Sequence, residues 1–245
     1  MAGTIALVGS GEYLLSMEPL EQKLIEQGVA NGKKPKFVQL ATAAGQEGYA
    51  SLQRWRELGQ AQADRIGVEA VFVEAYEKAD TLNHALCQQI EDAALIYLSG
   101  GNPIYLTDTL RGSPLFETIW QNWRSGSSLA GCSAGAMALS AEVANPFKLT
   151  AAATPGLNVA ERLKVLPHFD RYFGWIPKPM AKFLGRTSSE ILPIGIDENT
   201  ALVSTGESRV WEVWGYGKAT VLTKHDHSLL PGELLRVDDE LINPE

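Results

Sequence analysis

A chain of 245 residues, 45% hydrophobic and 20% charged, has the length for one full core and the composition of an ordinary soluble protein. Its net charge of −8 argues against a nucleic-acid partner, because phosphate binding needs clustered cations. Two cysteines, Cys87 and Cys132, are too few for a disulfide framework and fit a reducing, cytoplasmic setting. Met1–Thr4 carries no basic run and the apolar stretch behind it breaks at Gly9, so no secretory signal is expected. The uncharged stretch from Ser125 to Ala141 is too rich in Gly, Ser and Ala to span a membrane, and no membrane partner is expected.

Thr4–Val8 reads as a buried strand ending at Gly9-Ser10-Gly11, followed by a helix with Leu20, Leu24 and Ile25 that stops near Gly28. Phe37–Leu40 is the second strand, ending at Ala41–Gly45; a helix runs from Tyr49 to about Ala61 with Leu52, Trp55 and Leu58 at helical spacing. Val68–Val73 is a third strand, Leu82 to about Asp92 a third helix, and Ala94–Leu98 a fourth strand ending at Ser99-Gly100-Gly101-Asn102-Pro103. Two short helices, Tyr105–Leu110 and Leu115–Trp123, precede a strand into Ser133. Apolar strands alternating with helices predict a doubly wound, mostly parallel α/β sheet with helices on both faces. Each small-residue loop falls at the carboxyl end of its strand, the edge where such sheets bind ligands. Ser10, Thr42, the Gly100-Gly101 loop and Ser133 can therefore meet in one cleft.

Beyond Ala141 the pattern changes. Asn145-Pro146 and Thr154-Pro155-Gly156 read as turns, and Leu163–Leu166 as a strand delivering Pro167-His168-Phe169-Asp170. A helix is expected within Ile176–Ser189. Ile191–Ile196 leads to Asp197-Glu198-Asn199-Thr200 and then Ala201–Val203. Val210–Trp214 and Lys218–Leu222, split by Gly215-Tyr216-Gly217, read as a C-terminal hairpin. With no repeat or linker, residues 1–245 are expected to form a single domain. Trp211 and Trp214 on that hairpin either cover an interface, as in a homodimer, or close the core; the residues leave both open.

Gly131-Cys132-Ser133-Ala134-Gly135 fits the G-x-S-x-G nucleophile elbow, in which a tight turn lifts the serine hydroxyl to the top of the sheet at a helix N-terminus. The plainer reading is a small-residue turn packing a helix on a sheet. A serine needs a base, and the chain has four histidines. His84 lies in a polar helix. His225 and His227 have H-x-H spacing but no third metal ligand is evident, so no metal is expected. His168 ends an apolar strand, which would hold it rigidly; a buried structural histidine is the alternative. For a carboxylate to orient that base, Glu142 and Glu161 sit in polar stretches and read as solvated. Asp170, two residues on along a strand, would face the same way as His168 and lie near it without the geometry to meet its ring nitrogen, and Glu198 lies at a strand end between apolar segments, where an unpartnered carboxylate is costly. Glu198 leads. For oxyanion donors the Ala134 N–H comes with the elbow, and Gly100 or Gly101 supplies the other unless that pair is a structural turn. Gly9-Ser10-Gly11 has Leu14 where a dinucleotide loop needs its third glycine, so no nucleotide cofactor is expected.

In this order, Ser99-Gly100-Gly101-Asn102, Gly131–Ala136, Pro167-His168-Phe169 and Gly195–Ala201 resemble the serine peptidase family of aspartyl dipeptidases (peptidase E) and cyanophycinases, over nearly the whole chain. The resemblance implies a fold like class I glutamine amidotransferases, with serine in place of their cysteine, and no cofactor. It implies Ser133 as nucleophile, His168 as base, Glu198 as triad acid, and Gly101 and Ala134 as oxyanion donors. Gly100 and Asn102 would contact a small aspartyl or isoaspartyl peptide cleaved through an acyl-enzyme; Arg171 either holds a carboxylate of that peptide in a bidentate pair or is an ordinary surface arginine. The order Ser, His, Glu departs from the Ser, Asp/Glu, His order of α/β-hydrolases. Asp170–Trp175 only partly matches the residues with which cyanophycinases hold their β-aspartyl-arginine repeat, so the resemblance carries the reaction class further than the substrate. Two rival readings remain at this point: a thiol enzyme of the amidotransferase kind using Cys132, and a cleft that binds without catalysis.

Overall fold

The protein is described by a computed structural model covering residues 1–144, 154–171, 187, 190–205, 209–223 and 225–242. β1 (Thr4–Val8), β2 (Lys34–Leu40), β3 (Glu69–Phe72), β4 (Ala93–Leu98) and β5 (Ser128–Cys132) form the parallel half of an eight-stranded sheet, in the order β3-β2-β4-β5-β1. Their side chains alternate between faces, so β1 divides its residues between two cores. Ala6 and Val8 join Leu20, Leu24 and Ile25 beneath α1 (Glu18–Ala30) and α2 (Tyr49–Ile66). Ile5 and Leu7 join Ile90, Leu106 and Ile119 from α3 (His84–Ile90), α4 (Pro103–Leu110) and α5 (Pro114–Arg124). The expected doubly wound sheet is what the chain builds. Helix α2 runs five residues past the expected Ala61 and stops where Gly67, at φ +79°, takes the left-handed C-cap.

After β5 come α6 (Ala134–Leu139) and a two-residue ladder of β6 (Glu142–Val143) with β7 (Thr154–Pro155), where a turn was expected. β8 (Leu163–Leu166) and β9 (Leu192–Ile196) open a second sheet. β10 (Thr200–Thr205) and β11 (Val210–Gly215) return to the first. β12 (Ala219–Val221) and β13 (His227–Leu229) complete the second sheet, β13-β12-β9-β8. β14 (Leu234–Arg236) closes the antiparallel edge β14-β11-β10-β1, and a short helix, Val237–Ile242, follows it. The small sheet packs on the α6 side of the large one, where Leu163, Val165, Ile194 and Val221 share a core with Leu139 and Leu202.

The expected C-terminal hairpin is therefore corrected. Val210–Trp214 lies between β10 and β14, whereas residues 219–221 lie between β9 and β13, so the two strands belong to different sheets. Gly215, at φ +108°, presses against the backbone of Asn199 and Thr200, where any side chain would collide, and there the chain leaves one sheet for the other. Trp211 is fully buried and Trp214 packs on the α1 core, so both tryptophans close the core. The expected turn at Asn145-Pro146 and nearly all of the helix within 176–189 lie outside the described residues. Among the described residues no helix is long and apolar enough to cross a membrane.

Candidate active site

All the parallel strands end on one edge, and the end of β1 is the frame there. Three successive carbonyls accept three amides: Val8 O from Ser133 N at 2.9 Å, Gly9 O from His168 N at 3.3 Å, and Ser10 O from Asn199 N at 3.0 Å. Ser133, His168 and Asn199 have φ of +49°, +51° and +54°. Non-glycine residues seldom adopt such angles, and three hung on one loop mean that the surrounding hydrogen bonds overdetermine them.

Ser133 sits between β5 and α6 with ψ −108°, at the apex of the expected strand–turn–helix. The flanking glycines are required: a side chain on Gly135 would strike the Leu98 carbonyl, and one on Gly131 would stand 2.5 Å from the Gly135 carbonyl carbon. Ala134 opens α6, whose first amides have no intrahelical acceptor. Across the cleft, Gly101 at φ +135° lies so close to Ala43 that a Cβ would come within 2.6 Å of its carbonyl carbon. Asn102 is the N-cap of α4, its Oδ1 accepting from Ile104 N and Tyr105 N at 3.1 Å each.

The small sheet delivers the other half. β8 and β9 run parallel with Leu166 opposite Gly195, so His168 and Glu198 leave their strands side by side. Ser133 Oγ lies 3.0 Å from His168 Nε2, and His168 Nδ1 lies 3.0 Å from Glu198 Oε1. Arg171 Nε donates to Glu198 Oε2 at 3.3 Å, and Glu198 N donates to Asp170 Oδ1 at 2.9 Å. His168 and Glu198 keep 30% and 26% of their side-chain surface exposed, so the line of groups opens to solvent. A hydroxyl, an imidazole and a carboxylate in this line can pass a proton off the hydroxyl and hold the resulting imidazolium.

A profile of Peptidase family S51 matches residues 5–210. The chain belongs to peptidase family S51. It is 45% identical to a peptidase from an acI-B1 Actinobacterium, with a TM-score of 0.90 over 96% of this chain and 97% of that one. A Listeria monocytogenes EGD-e protein assigned provisionally to peptidase E shares the fold at a TM-score of 0.61 and 18% identity, over 88% of this chain and 98% of that one. No curated protein matches the chain significantly. Family S51 is a family of serine peptidases, which is the class to which the four motifs pointed.

The remaining carboxylates of this S51 chain find other partners. Asp170 engages the Glu198 backbone. Glu142 was expected in solvent but is buried, 3.5 Å from Lys164 Nζ and 2.9 Å from Thr187 Oγ1; burial pushes the Lys164 ammonium below its usual pKa. Glu161, His84 and His225 are exposed, and His227 pairs with Glu240 at 3.3 Å. Among the described residues no three His, Cys, Asp or Glu side chains form a group that could hold a metal.

Two glutamates beside the site were not singled out by sequence. Glu12 Oε1 accepts the Gly100 N–H at 3.0 Å, and Oε2 accepts the Cys132 thiol at 2.8 Å. Nothing in a polar loop distinguishes such a residue from a solvated one. Glu21 accepts from Tyr13 N at 3.2 Å and from the Gln62 amide, and Tyr13 in turn bonds Ser99 Oγ at 2.7 Å. Burial raises the Glu21 carboxyl from 4.5 to about 8. Here a signal existed: Met17, Leu20, Leu24 and Ile25 form the buried stripe of α1 and its lead-in, and position 21 falls on it.

Proposed function

We propose that this S51 peptidase hydrolyses small aspartyl- or isoaspartyl-containing peptides through an acyl-enzyme on Ser133. The observation that carries the reading is the unbroken line Ser133 Oγ, His168 Nε2, His168 Nδ1, Glu198 Oε1, with 3.0 Å at each of its two junctions. Ser133 Oγ attacks the scissile carbonyl as His168 Nε2 takes its proton. Glu198 holds the Nδ1–H tautomer and stabilises the imidazolium. The oxygen of the tetrahedral intermediate receives the Gly101 and Ala134 amides. His168 returns the proton to the departing amine as the C–N bond breaks, leaving the acyl group on Ser133. Water, deprotonated by His168, then hydrolyses the ester and restores the serine. Each step uses only these side chains, two amides and water.

The thiol alternative is disfavoured on the same geometry. Cys132 is fully buried with its S–H held by Glu12, and burial, reinforced by that carboxylate, keeps its pKa well above the ordinary thiol value. For the substrate, the supporting observations are the four motifs and Arg171, 73% exposed beside Glu198, which can reach a substrate carboxylate. Gly100 lies beside Ser133, a Cβ built on it standing 3.6 Å from Ser133 Cβ, and with Asn102 it would contact the peptide on that side. The test is release of free amine from a panel of Asp-X and isoAsp-X dipeptides by wild type and Ser133→Ala. The reading expects turnover by wild type alone; full activity in the variant would sink it.

A further inference from the structure

We propose that Glu12 is a positioning residue, clamping the Gly100–Gly101 loop so that the Gly101 N–H, and not the Gly100 N–H, faces the reacting carbonyl. The proposal rests on the hydrolase reading above. Glu12 leaves the β1–α1 loop just after the carbonyls of residues 8–10 that hold Ser133, His168 and Asn199. One oxygen takes the Gly100 N–H of the loop after β4, and the other takes the Sγ–H of Cys132, the residue before Ser133. One carboxylate therefore ties the oxyanion loop to the nucleophile turn. The two sit within touching range, since a Cβ built on Gly100 would stand 2.9 Å from Glu12 Oε1 and 3.6 Å from both Ser133 Cβ and Trp55 Cη2.

The loop's amides can be accounted for one by one. Gly100 N–H goes to Glu12 at 3.0 Å and Asn102 N–H goes to Ala43 O at 2.9 Å. The peptide planes on both sides of the Gly100–Gly101 bond are thus pinned, and Gly101 itself is pressed on Ala43 at φ +135°. Among the described residues no protein acceptor takes the Gly101 N–H, so the middle plane is left in one orientation with its donor available. A carboxylate suits the clamp because it only accepts, and can take an N–H and an S–H together with no donor of its own to satisfy. Without it, the Gly100 amide loses its acceptor and the plane beside it can rotate, which moves the Gly101 donor off its target.

The test is the second-order rate at which a fluorophosphonate phosphonylates Ser133, with melting temperature, in wild type, Glu12→Ala, Glu12→Gln and Glu12→Asp. The phosphoryl oxygen occupies the oxyanion position, so the rate reads donor placement. Glu12→Ala should slow labelling about tenfold or more, a fraction of what deleting an oxyanion donor costs. Glu12→Gln, with an acceptor at the same reach, should recover most of that rate; Glu12→Asp, which keeps the charge but is one methylene short, should not. If Glu12→Ala does not fold, the Gln and Asp pair decides. Wild-type rates in Glu12→Ala, or Asp outperforming Gln, overturn the clamp while leaving the nucleophile in place. Wild type that takes no adduct on Ser133 overturns the hydrolase reading, and this proposal with it.

Discussion

The site is assembled from two halves built in opposite ways. The serine half is local: β5, the Ser133 turn and α6 follow each other in sequence, and Gly131 and Gly135 let helix and sheet touch. The histidine–glutamate half is long-range: His168 and Glu198 meet only because β8 and β9 pair in one register within a separate small sheet. Both halves hang on one run of three carbonyls at the end of β1, Val8 O holding the serine half and Gly9 O and Ser10 O the other. Local stereochemistry thus places Ser133, sheet register places His168 and Glu198, the base and carboxylate of the proposed triad, and β1 sets one half against the other.

The two halves should break differently. On the long-range side the chemistry fails while the fold survives. Replacing His168 with alanine should lower hydrolysis by roughly 10⁴-fold or more, and Glu198→Gln by about 10²- to 10⁴-fold. Thermal scans of both should stay near wild type, because these side chains are part exposed. On the local side fold and chemistry should fail together. Gly135→Ala forces a methyl group into the Leu98 carbonyl, a costly overpacking of about 3 kcal/mol that lowers the melting temperature by roughly 6–12 °C. A stable Gly135→Ala protein with full activity would contradict the packing argument.

Smaller effects sharpen the contrast. Glu21, buried and neutral behind the β1–α1 loop, ionises only near pH 8, against 4.5 for an ordinary glutamate. The stability this raised pKa contributes is complete below about pH 4.5 and is lost as pH rises toward 8. Glu21→Gln stays neutral, so its melting temperature should gain on wild type between about pH 5 and pH 9; parallel curves would refute the burial argument. Arg171→Ala removes a guanidinium that is itself 73% exposed from its ion pair with Glu198 and should leave stability within about 1 kcal/mol. Its effect belongs in KM rather than kcat if the guanidinium meets a substrate carboxylate, with a rise of about tenfold at most.

What the sequence made legible follows the same division. Each βα unit of the parallel half carries its own pattern, so fold class, loop edge and the Ser133 turn could all be read residue by residue. His168 and Glu198 were readable as individual strand ends, but the second sheet that joins them was not, since its pairing links residues far apart. The misread hairpin has the same origin. Alternating apolar residues around Gly215-Tyr216-Gly217 satisfy every local rule for a hairpin, and only competition from β10, β14, β9 and β13 separates the strands. Glu142 looked solvated because its partner Lys164 is on another strand. Glu12 stayed hidden because its meaning depends on Gly100, in the loop after β4, and on Cys132, at the end of β5.

The most direct test of the central claim is the intact mass of the wild-type protein and of Ser133→Ala after exposure to a fluorophosphonate. A single adduct on wild type that disappears in the variant is the predicted result, and it would place an activated nucleophile at the junction of the two halves. An adduct that persists in Ser133→Ala, or none on either protein, would contradict the claim that Ser133, His168 and Glu198 work as one unit.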